Sequence, residues 1–287
     1  MISSPNTANR QIARAAGTVM FAFLLSTLTG LLRWVLVADA FGTSSEMEAF
    51  SAANRVSETL YYLIAGGALG SAFIPTFSGL LAKDQRRRAW EMASAVTNLV
   101  LLILIFTSLL AAIFAPQIVR YVLAPGFVAD PEKFQLTVSL VRMMLPSAVI
   151  FGVSGLVMGI LNSHQIFLFP ALAPSMYALG MIFGVLFLAP GMGIFGLAWG
   201  VLLGAALHLL VQMPILVRQG GSYTPTLGLR LAEVQEVARL MGPRLLGVAV
   251  VPGFAPDPSQ VSQATMLGTV MLTVSPKTAC SRFSGSS

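Results

Sequence analysis

The chain has 287 residues, of which 56% are hydrophobic and only 10% are charged, and its mean hydropathy is +0.81. Soluble domains usually carry about 25% charged residues, so this composition excludes an ordinary water-soluble fold. The net charge of +6 does not indicate a nucleic-acid partner, because the positive residues lie beside apolar stretches. The single cysteine, Cys280, excludes an internal disulfide, and no ligand-spaced cluster of His or Cys predicts a metal cofactor.

Six apolar stretches are long enough to cross a bilayer, which takes roughly 20 residues of helix. They are Ala16–Ala40, Ala49–Leu69, Ala93–Ala115, Leu136–Leu161, Phe167–Ala189 and Ile194–Val217. Strands of a membrane barrel would instead alternate over about ten residues. We therefore predict an all-α fold, a polytopic transmembrane helical bundle of six complete spans plus an incomplete seventh at Leu240–Val251.

The loop charges predict the orientation of the bundle, because Lys and Arg prefer the cytoplasmic side. With the N-terminus inside, the inner segments hold Arg10, Arg14, the basic loop Lys83–Arg88 and Arg218, whereas the outer segments hold only Arg120 and Lys133. We expect a cytoplasmic N-terminus in the inner (plasma) membrane, with membrane lipids as partners. The domains expected are a cytoplasmic segment 1–15, the helical bundle 16–217, a cytoplasmic loop and the start of helix seven 218–251, and a polar tail 252–287.

Polar residues inside the first two spans are the candidates for function, since ionisable groups in a membrane are expensive. Ser26, Gly30 and Arg33 are spaced i, i+4, i+7 and share one face of helix one. Arg55 and Glu58 lie on helix two, where their i, i+3 spacing also allows them to pair with each other. Because arginine offers a fork of donors to phosphate or carboxylate, these residues predict a cationic pocket for an anionic substrate. The alternative is a structural Arg55–Glu58 pair.

Motifs of nucleotide-driven or hydrolytic chemistry are missing from the sequence. The stretch Gly66–Ser71 lacks the lysine of a phosphate-binding loop, and no Gly-x-Ser-x-Gly motif occurs. The sequence therefore favours a transporter without a cofactor over an enzyme.

Four further segments resemble the MurJ/MviN lipid II flippases of the multidrug/oligosaccharidyl-lipid/polysaccharide exporter superfamily. They are Ala49–Phe77, which ends in AGGALGSAFIPTF from Ala65, Gly159–Asn162 followed by Phe169–Pro174, GIFGLAWGVLLGAALHLLVQMP from Gly193, and Gly242-Pro243 with Gly247. The resemblance extends from about residue 14 to Val251. It implies a protein that moves the lipid-linked peptidoglycan precursor from the cytoplasmic to the outer leaflet for cell-wall synthesis.

The resemblance also bears on the candidate site. Family members have a cationic central cavity, and Arg33 and Arg55 fall on two of its basic positions. Thr27 stands where the family usually has another arginine, and Trp34 stands where an acidic residue usually follows Arg33. The cavity of this chain is therefore expected to be less positive than is usual in the family.

The resemblance covers only the family's first half and ends where the composition changes at Pro252. We expect a truncated copy whose tail arose from a shifted reading frame, with a helix-packing partner supplying the missing half. A half-size protein with a genuine divergent tail is the alternative. Two other functions stay open: export of another cargo, such as a drug or a polyprenyl-linked polysaccharide, and a non-transporting membrane scaffold.

Overall fold

The computed structural model describes residues 5–61, 73–221, 223–228, 231, 233–236 and 239. These residues form helices and connecting turns, and no strand occurs among them. The α-helices are α1 Pro5–Phe41, α2 Ser45–Tyr61, α3 Ile74–Ala82, α4 Arg86–Ile113, α5 Ala115–Ile118, α6 Pro131–Ser163, α7 Leu168–Phe183, α8 Ala189–Met192, α9 Ile194–Leu210 and α10 Met213–Arg218. The predicted all-α fold is confirmed.

Five stretches of helix in the described part of the chain are long and apolar enough to cross a membrane. They are Gly17–Phe41, Arg86–Ile113, Pro131–Ser163, Leu168–Met192 and Ile194–Arg218. They correspond to the first, third, fourth, fifth and sixth predicted spans. Within the predicted second span, the structure describes α2 only as far as Tyr61, and residues 62–72 lie outside the described residues. The predicted start of a seventh helix and the polar tail 252–287 also lie outside them.

The ends of the helices are set by local side-chain interactions and not by the ends of the apolar stretches. The third span was predicted to begin at Ala93, but α4 begins at Arg86, and Arg87 pairs with Glu91 at 3.0 Å across its first exposed turns. At the start of α6, the Asp130 side chain accepts a hydrogen bond from the Lys133 backbone N–H at 3.1 Å, which caps the helix. Charged residues thus extend the helices beyond the apolar stretches.

α6 is the central helix of the described bundle. It packs against α2, α4 and α9, while α7 packs against α1 and α9. The segment between α4 and α6 continues from α5 through a π-helical turn Val119–Leu123 and a 3₁₀ turn Pro125–Ala129. Val119 is buried against the bundle and Tyr121 is exposed, so this segment presents one face to the protein and the other outward.

α7 and the π-helical turn that follows it, Gly184–Leu188, lie in backbone contact with α9, and glycines at a spacing of four line this contact. A methyl group added at Gly184 would lie 2.6 Å from the Cα of Gly200 and 2.8 Å from the carbonyl oxygen of Gly196. Small residues allow such backbone contact between helices in a membrane. These three glycines therefore allow the two helical segments to pack with their backbones in contact.

Candidate functional site

Arg33 lies on α1 and reaches across to α7. Its Nη1 donates a hydrogen bond to the Met181 sulfur at 3.4 Å, and its guanidinium carbon lies 5.0 Å from the Trp34 ring centroid and 5.5 Å from that of Tyr177. A thioether is a weak acceptor and an aromatic face attracts a cation without using its N–H donors. No carboxylate within the described residues forms an ion pair with Arg33. Most of its donors therefore remain available to an anion.

Arg55 and Glu58 lie on the same helix but face different spaces. Arg55 is exposed and lines a cleft of about 560 Å³ beside Glu48, Gly126 and Phe127. Glu58 instead accepts a hydrogen bond from Asn54 Nδ2 at 2.7 Å. In this described part of α2, Arg55 and Glu58 form no ion pair. A neighbouring amide one turn away, that of Asn54, is the hydrogen-bond partner of Glu58, and Arg55 acts on Glu58 only electrostatically.

The cleft at Arg55 is bordered by a separate charged contact. Lys133 forms an ion pair with Glu48, and its ammonium lies 4.0 Å from the centroid of the Phe127 ring. Lys133 is paired with Glu48, so Arg55 is the cationic residue of the cleft lining that can bind an anion. Arg55 lies in the middle of α2, and the cleft that it lines extends to the turns Val119–Ala129.

Glu58 faces an inner pocket of about 280 Å³ among four helices. Its walls are Asn54, Ser57 and Glu58 of α2, Ser147 and Phe151 of α6, Pro174 and Tyr177 of α7, and His208 of α9. Tyr177 also contacts Arg33, so the pocket and Arg33 adjoin the same residue of α7. Ser26 is half-buried on α1 but does not line this pocket.

A buried polar network adjoins the pocket, and sequence reasoning missed it. His208 Nδ1 lies 2.7 Å from the Ser154 hydroxyl, and Gln212 Nε2 donates to Ser154 Oγ and to the His208 carbonyl oxygen, both at 2.9 Å. Ser154 and Gln212 are fully buried. The i, i+4 spacing of His208 and Gln212 is the one signal in the sequence that could have indicated it.

The four predicted site residues are thus only partly brought together. Arg33 and Glu58 approach α7 from α1 and α2, and they share Tyr177 as a neighbour. Arg55 lines the separate cleft, and Ser26 lies two turns before Arg33 on α1. Among the described residues, the side chains predicted to form one cationic pocket therefore lie at two separate cavities. Arg55 lines one of them and Glu58 lines the other.

Comparison with known proteins gives a family. A family model described as "Lipid II flippase MurJ" matches residues 37–251. A "Probable lipid II flippase MurJ" of Buchnera aphidicola subsp. Acyrthosiphon pisum is 28% identical over 234 residues, which are 81% of this chain and 46% of the relative. The "Lipid II flippase MurJ" of Burkholderia cenocepacia is 32% identical over 243 residues, 83% of this chain and 47% of that protein. The chain spans about half the length of these relatives.

Solved structures agree with this comparison. A structure entitled "Lipid II flippase MurJ, inward closed conformation" matches with a TM-score of 0.65 and 25% identity, covering 81% of this chain and 47% of that one. A structure entitled "Crystal structure of MATE in complex with MaD3S" matches with a TM-score of 0.61 and 19% identity, covering 83% of this chain and 53% of that one. At that identity, the second likeness shows a shared fold and nothing about cargo.

Proposed function

Because the chain belongs to the lipid II flippase MurJ family, we propose that it forms half of a pathway for the lipid-linked peptidoglycan precursor. The precursor would move from the cytoplasmic to the outer leaflet of the inner (plasma) membrane, where its sugar units enter the cell wall. The protein would act as a transporter and not as an enzyme. Five apolar helices long enough to span a bilayer agree with a multi-pass membrane location.

The observation that carries this proposal is the placement of Arg33. It lies within a stretch of α1 that is apolar enough to span the membrane, and its described contacts are a thioether and two aromatic rings. A permanent charge held in a membrane by such weak partners is costly unless it serves a ligand. A diphosphate matches the planar fork of guanidinium donors, and each charge-assisted hydrogen bond contributes about 1.5–3 kcal/mol.

We assign the remaining site residues to different stages of the path. Arg55 would meet the diphosphate at the cleft near the outer turns, after Arg33 has held it between α1 and α7. Ser26 would add a hydroxyl donor on the Arg33 face, and Glu58 would border the path from the inner pocket. The separation of Arg55 from Arg33 supports two successive contacts rather than one cationic pocket.

The proposal includes a topology and a partner. The N-terminus would be cytoplasmic, with six complete spans of which α2 belongs to the second, and 218–251 would be a cytoplasmic loop leading to helix seven. The complete cavity would need a second helical half like the one that the relatives' greater length provides, packed beside α1. The exposed apolar side chains of α1, including Phe21, Leu24 and Leu28, support such packing or contact with lipid.

The test is rescue of bacterial cells depleted of their own lipid II flippase. Residues 1–251 would replace the corresponding half of the Burkholderia cenocepacia relative, and the unmodified chain would be expressed in parallel. The hybrid is expected to restore growth, while Arg33→Ala should abolish rescue at unchanged protein level, and Arg33→Lys should restore it partly. Arg120→Ala removes an exposed arginine from the outer turns and serves as the matched control.

The outcomes separate the alternative functions. Full rescue by Arg33→Ala would contradict a binding role for this residue and favour a scaffold. Failure of the hybrid to move precursor, with efflux of a drug instead, would replace the proposed cargo. Rescue by the unmodified chain alone would show that no second half is needed.

A further inference from the structure

The inner pocket holds a carboxylate for which the described structure provides no permanent counter-ion. Glu58 accepts one hydrogen bond, from the neutral amide of Asn54, and forms no ion pair with any described residue. Arg33 and Arg55 are the positive charges that act on it electrostatically, but Arg33 contacts Met181, and Arg55 lines the other cleft. Glu58 is half-buried, and a carboxylate held away from bulk water without an ion pair is costly, so a cation bound beside it would stabilise its charge.

The pocket presents further oxygen atoms beside the carboxylate. Ser57 is only 5% exposed, lines the pocket, and its Oγ has no hydrogen-bond partner. The Ser147 hydroxyl donates to the Met144 carbonyl oxygen at 2.6 Å, which leaves its own lone pairs unused. Asn54 uses its Nδ2 toward Glu58, so its carbonyl oxygen remains free to accept. An unpartnered buried hydroxyl that lines a cavity beside a carboxylate is available to a ligand.

His208 is fixed at the wall of the same pocket. Gln212 Nε2 donates to Ser154 Oγ, and Ser154 in turn bonds to His208 Nδ1. We assign the Ser154 proton to the bond with Nδ1, because Ser154 Oγ already accepts from Gln212. That assignment leaves the ring neutral with its hydrogen on Nε2, so His208 adds no charge to the pocket.

The charges of the residues around the pocket indicate which kind of ion fits it. The groups that can titrate around the pocket are Glu58 of α2, Tyr177 of α7 and His208 of α9, and its α6 wall is formed by the neutral residues Ser147 and Phe151. Glu58 is therefore the one carboxylate among the described wall residues. Calcium sites use several carboxylate and carbonyl oxygens, so a single carboxylate matches a single positive charge. The volume of about 280 Å³ leaves room for an ion with several waters, each taking roughly 30 Å³.

We propose that the pocket bounded by α2, α6, α7 and α9 binds one monovalent cation, a proton or an alkali-metal ion, at the Glu58 carboxylate. Asn54, Ser57 and Ser147 supply the neutral oxygens around it. Tyr177 links the site to Arg33, since it lines the pocket and also lies against the guanidinium. Cation occupancy would thus be coupled to the position of Arg33 on the neighbouring helix.

The purified full chain in detergent provides the test. Its thermal unfolding temperature would be measured while NaCl replaces choline chloride at constant ionic strength, and separately while the pH is varied. A cation that binds only the folded state raises the unfolding temperature with its concentration. We expect the wild-type chain and the control Glu46→Gln, which changes an exposed carboxylate of the same helix, to gain a few degrees in one of the two series. Glu58→Gln should lose that gain.

The two series identify the cation, and their failure overturns the proposal. A response to sodium identifies an alkali-metal ion, and a response to pH alone identifies a proton. An identical response of the wild-type chain and Glu58→Gln in both series would refute the site. Should Glu58→Gln fail to fold, Ser57→Ala is expected to weaken the cation response about tenfold, and an unchanged response would refute it. No precursor is present, so failure here leaves the transport proposal standing.

Discussion

Removal of one hydroxyl at the centre of the bundle, Ser154→Ala, should destabilise the protein more than its size suggests. The substitution deletes the acceptor of Gln212 Nε2 and the partner of His208 Nδ1, both of which are buried. Gln212 retains its bond to the His208 carbonyl oxygen at 2.9 Å, whereas Nδ1 is left without a partner. An orphaned buried polar group costs about 1–3 kcal/mol, and an interhelical hydrogen bond in a membrane contributes about 0.6 kcal/mol. We expect a loss of about 2–3 kcal/mol.

Reversible unfolding of the purified chain in mixed micelles of SDS and a mild detergent would measure this loss. Ser139→Ala is the matched control, because it lies on the same helix, is exposed, and loses only a bond to the Gln135 carbonyl oxygen. The control should stay within about 0.5 kcal/mol of the wild-type chain. Equal destabilisation by the two substitutions would refute the network, as would strict additivity of Ser154→Ala with Gln212→Leu, since contacting residues couple.

Three other predictions concern the helix packing, a helix cap and an ion pair. Gly184→Ala should cost about 1–3 kcal/mol, because the methyl group meets the α9 backbone at 2.6 Å, whereas Gly191→Ala has open space and should cost little in the same unfolding assay. Asp130→Ala should lower the unfolding free energy by about 1 kcal/mol, because α6 loses its N-terminal cap. Amide hydrogen exchange in the first turn of α6 should then become faster, and an unchanged exchange rate would contradict the role of the cap. The Arg88–Glu233 ion pair, at 2.8 Å, should give a coupling energy of about 0.2–1 kcal/mol in a double-mutant cycle. This coupling energy should become smaller as the salt concentration rises. A coupling energy of zero at low salt would show that the pair adds no stability.

Much of the fold could be predicted because the membrane imposes it. A stretch such as Leu136–Leu161 must be helical to satisfy its own backbone in lipid, and α6 contains it entirely. The ends could not be placed by hydropathy, since Arg86 begins α4 within a charged loop. α9 ends at Leu210 and α10 begins at Met213 with Pro214 in its first turn, so the sixth span contains a two-residue turn that hydropathy does not predict.

The candidate site could be predicted less completely. Hydropathy alone singled out Arg33 and Glu58 as charges within spans, and the structure places both beside Tyr177. Helical spacing could not determine whether Glu58 pairs with Arg55 or with Asn54, because both lie within one turn of it. The bond between Ser154 and His208 joins helices 54 residues apart in the chain, so no local pattern predicts it.

The turn Gly184–Leu188, between α7 and α8, has π-helical geometry, in which each residue bonds five positions back and the helix holds one residue more than an α-helix would. Deleting a single residue within this turn would allow it to relax to α-helix while both flanking segments keep their faces. The same deletion elsewhere in α7 would rotate everything beyond it by about 100° and turn the glycine face away from α9. Within the segment from α7 to α8, this turn is therefore the position at which one residue can be removed while the contact with α9 is kept.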